Sequence, residues 1–327
     1  MRCCLIICDG MADRPTDYPG GMTPLEAAHT PAMDNLAAIG RCGSLTTIPP
    51  GLYPGSETGI LTILGYTPKV IPSGRAFLEL LGSQIDFPVD DRTVAARYRI
   101  DAPDIGIDDL RPEFPGVSFH PLSHSAGLAI FPAGDVPPDP HPHITFWSHS
   151  RKHSLPAFPP RLLSTPRPSA AMVGAVPLVK GIAAATGMEM ILPSGATGDT
   201  ATDYAAKGLA TAKALGRYDI VVLHIEACDT ASHARDYRAK TEAIENIDTF
   251  IVAPLLRLAM QENDIAVALL PDHPSLCSSG LHSDHPVPAV IYIPGLTPDA
   301  VTRFTEKEAA RGSLHDLNEL YRLYEYI

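Results

Sequence analysis

The chain has 327 residues, with 25 Lys and Arg against 37 Asp and Glu, giving a formal net charge of -12 at pH 7. That length can bury a substantial core and suits one large domain with a smaller insert. The negative balance argues against an electrostatic grip on nucleic acid or an anionic membrane, while local cations can still create a pocket for a small anionic substrate.

The first predicted element is the apolar run Arg2 to Cys8, which reads as a buried strand turning at Asp9-Gly10. This run is too short for a secretory signal, and no stretch approaches the length of a membrane span. The six cysteines, Cys3, Cys4, Cys8, Cys42, Cys228 and Cys277, form no CxxC pair with a matching partner, which argues against a thiolate zinc site. The expectation is a reduced, cytoplasmic protein.

A helix is expected over Thr30 to Gly40, with Pro31 at its first position and Gly40 as its stop. A short strand over Gly43 to Ile48 follows, then a helix over Glu57 to Leu64 that starts just after Ser56. From Gln84 to Pro166 the texture changes: prolines crowd together, helical periodicity disappears, and β-like runs occur at Val94 to Ile100 and His143 to Trp147. This stretch is expected to be a small, loop-rich inserted domain, with 1–83 and 167–327 forming the core. Alternation then resumes: a strand over Ser169 to Val173, a helix over Pro177 to Thr186, a strand over Met188 to Leu192 and a helix over Asp199 to Leu215. A strand over Asp219 to Ile225 follows, then one long amphipathic helix over Tyr237 to Glu262 and a strand over Ile265 to Leu270. Alternating strands and helices predict an α/β fold with a mostly parallel sheet sandwiched by helices, in which ligands gather at the carboxyl ends of strands.

Seven side chains of metal-ligand type fall at those ends: Asp9, Ser56, Asp229, His233, Asp272, His273 and His282. Asp229 and His233 are four residues apart, so one helical turn can aim both at one ion. Taken singly, each has an ordinary reading as a surface pair, a turn or a helix cap. Taken together, they make a candidate site for two divalent ions, which can clamp the attacking and leaving oxygens of a phosphoryl transfer. A hydroxyl such as that of Ser56, placed on an ion, becomes a nucleophile.

Several ordered segments resemble the archaeal-type cofactor-independent phosphoglycerate mutases of the alkaline phosphatase superfamily. In the first 80 residues these are Asp9 to Pro15, Thr23 to Pro31, Pro54 to Thr58, Leu64 to Tyr66 and Ser73 to Arg75. Beyond about residue 168 they are Val176 to Ile182, Gly195 to Gly198, His224 to His233, Lys240 with Ile244 to Asp248, Asp272-His273, and His282 to Pro288. The resemblance implies that Ser56 is transiently phosphorylated, that Asp9, Ser56, Asp272 and His273 hold one metal ion, and that Asp229, His233 and His282 hold another. It also implies manganese or zinc with no organic cofactor, which suits an all nitrogen and oxygen ligand set. Lys180 is then a candidate neighbour of the phosphorylated serine, with a solvated lysine as the alternative.

The middle of the chain departs from the family, whose longer insert carries substrate-gripping Asp-x-Asp-Pro-His, Asn-x-x-Arg and Arg-Gly stretches that have no evident counterpart here. A mutase must hold its acid while the phosphate sits on serine, which calls for a cationic clamp. The candidates are Arg75, Arg97, Arg151, Lys152 and His153, the last three also reading as a solvated loop cluster. The expected activity is interconversion of 2- and 3-phosphoglycerate. The alternatives are a phosphatase or phosphotransferase acting on another small phosphorylated or phosphonate acid, and a non-catalytic metal-binding sensor.

Overall fold

The computed structural model describes residues 1–18, 20–85, 92–132, 141–161 and 167–327. In chain order the strands are β1 (Arg2–Cys8), β2 (Arg41–Leu45), β3 (Val94–Ile100), β4 (Ser118–Pro121), β5 (Ala126–Phe131), β6 (Ile144–Arg151), β7 (Ala170–Val173), β8 (Glu189–Ile191), β9 (Ile220–Ile225), β10 (Ile265–Leu270), β11 (Ser275–Leu276), β12 (Leu281–His282) and β13 (Val287–Tyr292). Seven of them form the main sheet in the order β2-β13-β10-β1-β9-β7-β8. Strands β10, β1, β9, β7 and β8 pair in parallel, and β13 runs antiparallel between β10 and β2.

The sequence of β1 shows why this sheet lies between helices. Cys4, Ile6 and Cys8 pack into one apolar cluster, and Cys3, Leu5 and Ile7 into another on the opposite face. A strand buried on both sides loses the polar and apolar alternation of a half-exposed one, as expected for a parallel sheet. All six cysteines are buried free thiols.

The expected helices form with shifted ends. Pro31–Ile39, Ser56–Ile63 and Pro177–Thr186 lie where the pattern placed them. The helix expected from Asp199 begins instead at Tyr204, because the Asp203 side chain accepts the Ala206 N–H as an N-cap. The single long helix expected over Tyr237 to Glu262 is interrupted: Tyr237–Ile247 gives way to a turn of π-helix, Asp248–Val252, before Ala253–Glu262. Pro254 lacks the N–H that a regular helix needs, and the Ala253 N–H bonds back to Asp248 O across the widened turn. Asp248 is held there by accepting the N–H groups of Ala32 and Met33. Among the described residues, no helix is long and apolar enough to cross a membrane.

Between the two halves of the main sheet in sequence lies a second, antiparallel sheet in the order β4-β5-β3-β6. It has its own aromatic core, in which Phe114 meets Phe119 and Phe146 edge-on and Phe146 meets Phe131. Its other face, Ala95, Leu128 and Ile130, packs on Ala76, Phe77 and Leu80 of the helix Ala76–Gly82. The seam is also polar. The Arg75 and Phe77 N–H groups at the start of that helix donate to the Ser148 and Ser150 hydroxyls of β6, at 2.9 and 2.8 Å. Hydroxyls from a neighbouring sheet thus satisfy donors that a helix start leaves without an internal partner.

Candidate metal centre and its cavity

Three adjacent strands of the main sheet, β9, β1 and β10, deliver ligand-type side chains at their carboxyl ends. Asp9 follows β1, Asp229 sits on the helix Ala227–His233 just after β9, and Asp272-His273 follows β10. His282 lies on β12 just before β13, whose reversed direction starts it at the same edge. Ser56 opens the helix Ser56–Ile63. Two glycines permit the close approach. A Cβ on Gly59 would stand 2.3 Å from the Asp272 carbonyl oxygen, and one on Gly10, at φ +64°, would stand 2.5 Å from Ser275 Oγ.

All seven sequence-predicted ligands meet in one connected cluster. Ser56 Oγ is 3.3 Å from His273 Nε2, which lies 3.5 Å from Asp9 Oδ1 and 3.4 Å from Asp272 Oδ2. On the other side, Asp229 is 3.3 Å from His233 Nε2 and 3.1 Å from His282 Nε2, and the two imidazole nitrogens are 3.0 Å apart. Ser275 Oγ joins the halves: it donates to Asp229 Oδ1 and lies 3.3 Å from His273 Nδ1.

The donor set fits divalent cations. His282 Nδ1 is 2.7 Å from Pro54 O and His233 Nδ1 is 2.8 Å from Gly280 O, so each ring must carry its proton on Nδ1 to satisfy a carbonyl. Their Nε2 atoms then converge on each other and on the Asp229 carboxylate, and these positions are held either by protons or, in the neutral rings, by a cation that takes up the lone pairs. The Asp9 Oδ1 and Asp272 Oδ2 atoms are buried without hydrogen-bond partners. Asp9, Asp272 and His273 can share one ion, and Asp229, His273 and His282 another.

The electrostatics of the protein atoms alone show the same crowding. Burial, then Asp272 and Asp229, push the Asp9 carboxyl well above its usual range. Asp272 is pushed up to about 7 by burial and by Asp229. Burial also raises Asp229, but its bonds to His233 and His282 more than offset that and leave it well below the usual carboxylate range. His233 is raised to about 9 by Asp229, whereas burial lowers His273 to about 4. Like charges brought this close must share protons or cations.

Several polar neighbours escaped the sequence reading as site residues. His224, the one polar side chain in the apolar run of β9, lies 3.1 Å from Asp9 Oδ2 through Nε2, and burial lowers it to about 4. Glu226, one residue past the strand, is raised to about 7 by burial and by Asp9. Glu57, beside Ser56, is buried and raised by desolvation, with Arg75 opposing. Glu79 interrupts the apolar run Phe77 to Leu80. A lone charge inside an apolar run was the available signal for His224 and Glu79.

A cavity of about 610 Å³ opens beside the cluster, lined by His233 and His282 of the cluster and by Glu57, Arg75, Arg97 and Trp147. Two of the candidate substrate residues, Arg75 and Arg97, therefore face the centre. Arg151 and His153 line a neighbouring cavity instead, and His153 Nε2 is bound at 2.6 Å to Val70 O. Lys152 is exposed and lines neither. Lys180 is half-buried on Pro177–Thr186, which packs on the Ser56 helix, and does not line the cavity.

With this geometry in place, comparison with known proteins is decisive. Residues 1–321 match the family model described as the metalloenzyme superfamily. The chain belongs to that superfamily. Within it, the chain is a member of the cofactor-independent phosphoglycerate mutase family. It is 31% identical over 394 aligned positions to 2,3-bisphosphoglycerate-independent phosphoglycerate mutase 2 of Methanothermobacter thermautotrophicus, covering 99% of this chain and 96% of that protein. It is 32% identical to the corresponding mutase of Methanothrix thermoacetophila, covering 99% of each. A solved structure of a Pyrococcus horikoshii protein matches at TM-score 0.79 and 27% identity over 100% of this chain and 98% of that one. The fold is also that of the cofactor-independent phosphoglycerate mutase of Thermoplasma acidophilum, at TM-score 0.64 and 21% identity over 99% of this chain and 100% of that one. The 394 aligned positions exceed the 327 residues of the chain, so the Methanothermobacter relative carries segments that this chain lacks.

Proposed function

We propose that this family member transfers a phosphoryl group through Ser56 within a small phosphorylated acid, and that interconversion of 2- and 3-phosphoglycerate is its activity. The observation that carries the reading is the Ser56 hydroxyl at a helix start, 3.3 Å from His273 Nε2, which itself lies within 3.5 Å of two buried carboxylate oxygens without hydrogen-bond partners. Asp9, Ser56, Asp272 and His273 would hold one divalent ion, and Asp229, His233 and His282 the other, as manganese or zinc. When bound, such ions neutralise charge on the transferring phosphate and favour the serine alkoxide.

Ser56 Oγ attacks phosphorus, forming an Oγ–P bond as the ester P–O bond breaks, and the released substrate hydroxyl takes up a proton. The N-terminus of the Ser56 helix favours the negative phosphate it would then carry. The acid stays in the cavity, and its other hydroxyl attacks the phosphoserine to regenerate Ser56. Arg75 and Arg97 would grip the acid group during that exchange. The second sheet, between the two core segments 1–83 and 167–327, would form the substrate-facing wall.

Incubation of the manganese-loaded protein with 3-phosphoglycerate should yield the 2-isomer, and mass spectrometry of a quenched reaction should find phosphate on Ser56. Ser56→Ala should abolish both, lowering turnover by roughly a thousandfold or more. Release of free phosphate without the isomer would instead support the second reading, a phosphatase or phosphotransferase on another small phosphorylated or phosphonate acid. That reading is favoured by the chain lacking segments of its mutase relative.

A further inference from the structure

Glu79 occupies an unusual place for a carboxylate: only 3% exposed, on the inner side of the helix Ala76–Gly82, with apolar residues on either side of it. One oxygen, Oε1, accepts from Arg75 Nε at 2.9 Å, and the other, Oε2, pairs with Arg97 Nε at 3.4 Å. Arg75 belongs to the core, at the start of the same helix, and Arg97 to β3 of the second sheet. Arg75 donates a hydrogen bond through Nε, whereas Arg97 approaches through Nε at ion-pair distance only, Glu79 Oε2 having no hydrogen-bond partner. Among the described residues, no other hydrogen bond or ion pair takes up their terminal NH₂ groups.

Two half-buried guanidiniums thus meet one buried carboxylate at the wall of the cavity that His233, His282 and Glu57 also line. Arg97 is fixed from a second side, its guanidinium lying 5.3 Å from the centroid of the Trp147 ring. The Arg75 backbone is fixed too, through its N–H bond to Ser148. A planar fork held by its Nε and ring contacts loses little further freedom when it binds an oxyacid.

We propose that Glu79 is the positioning residue of a two-arginine receptor for the carboxylate of the substrate, assembled across the seam between the two sheets. Glu79 itself touches no substrate; it aligns Arg75 and Arg97 so that both present their free NH₂ edges to one planar acid. The proposal rests on the reading that the substrate phosphate sits at Ser56, and it adds what that reading leaves open, namely how the chain selects an acid. It also identifies the seam, with its serine caps, as part of the binding apparatus.

The test compares two ligands that differ only in the acid group, 3-phosphoglycerate and glycerol 3-phosphate. Trp147, the single tryptophan of the chain, reports binding by stopped-flow fluorescence before turnover. The manganese-loaded wild type should prefer 3-phosphoglycerate by about tenfold or more, and Glu79→Gln should bring the preference to within about threefold while inorganic phosphate binds as before. Arg97→Ala should do the same, and the double variant should lose no more, because the two residues act as one unit. A preference retained in Glu79→Gln, or absent from the wild type, overturns the proposal. If Glu79→Gln no longer unfolds cooperatively, Arg97→Lys decides: it keeps the charge but not the fork, and should lose the preference, whereas retention overturns the receptor. Failure of the Ser56 reading is seen separately, as absence of phosphoserine in the wild type.

Discussion

The two sheets hold their functional side chains in different ways. In the main sheet, Asp9, Asp229, Asp272 and His273 follow three neighbouring parallel strands, so their convergence is a consequence of topology and strand register. In the second sheet, Arg97 and Trp147 reach the cavity from β3 and β6, and the alignment of Arg97 with Arg75 depends on one carboxylate and two serine caps across a seam. The first arrangement is tied to the whole hydrophobic core and is hard to alter without unfolding. The second rests on a few polar contacts, which allows recognition to change while the chemistry stays.

The comparison predicts that damage to the two regions separates cleanly. Asp229→Ala removes the carboxylate on which His233 and His282 converge, and it should cost roughly a thousandfold in phosphoryl transfer together with the loss of about one bound ion per chain by metal analysis. Substitutions at Arg97 or Glu79 should leave the metal content unchanged. A fall in bound metal on altering the second sheet would show that the two regions are not independent.

A smaller effect should come from Lys240, which is 0% exposed and ties together the loops carrying the candidate ligands. Its Nζ donates to Asp13 Oδ2 at 3.1 Å, Ala12 O at 3.2 Å and Ser275 O at 2.7 Å. Ala12 lies just after Asp9, and Ser275 just after Asp272-His273. Lys240→Met would leave Asp13 buried without its cation, a change that costs about 3–5 kcal/mol in comparable pairs. Chemical denaturation should read that loss. Manganese affinity measured by titration should also fall, whereas a purely distant packing defect would leave it unchanged.

The same division explains what could be read from the amino-acid order. The clustering of Asp9, Asp272 and His273 was legible because each stands where an apolar strand gives way to a turn, and strand ends in a parallel sheet converge by rule, whereas Ser56, His233 and His282 lie on other elements that reach the same place. The single long helix over Tyr237 to Glu262 was misjudged because periodicity does not register the widened turn that Pro254 requires. The Glu79 link was not legible at all: its partners lie 4 and 18 positions away, one at the start of its own helix and one on β3 of the second sheet, and nothing local signals which arginine a buried carboxylate will meet. Arg151 and His153 looked equivalent to Arg97 as cations. The strands place Arg97 and Arg151 at different cavities, β3 and β6 shifting register between Ala95 and Arg97, while His153 lies beyond the end of β6.

The mildest test concerns Lys207, on the helix Tyr204–Leu215 of the core. It is 1% exposed, its Nζ donates to Thr197 O at 3.0 Å, and burial lowers it to about 8, with Glu226 and Asp199 opposing. In the unfolded chain the same group titrates near 10.5. Between these values the unfolded chain holds a proton that the folded one has released, so folding stability should rise with pH across the window. The cost of burying the charge is present in full below about pH 8 and disappears as pH approaches 10.5. Relative to Lys207→Met, in which the titration is gone and the lost hydrogen bond adds only a constant offset, the wild type should gain about 3 kcal/mol in total over that range. Denaturant unfolding at a series of pH values reads the difference. A flat difference would mean that Lys207 stays charged throughout, neutralised by Glu226. The core would then hold a buried charge pair of its own, as the seam does at Glu79, and the contrast between the two regions would narrow.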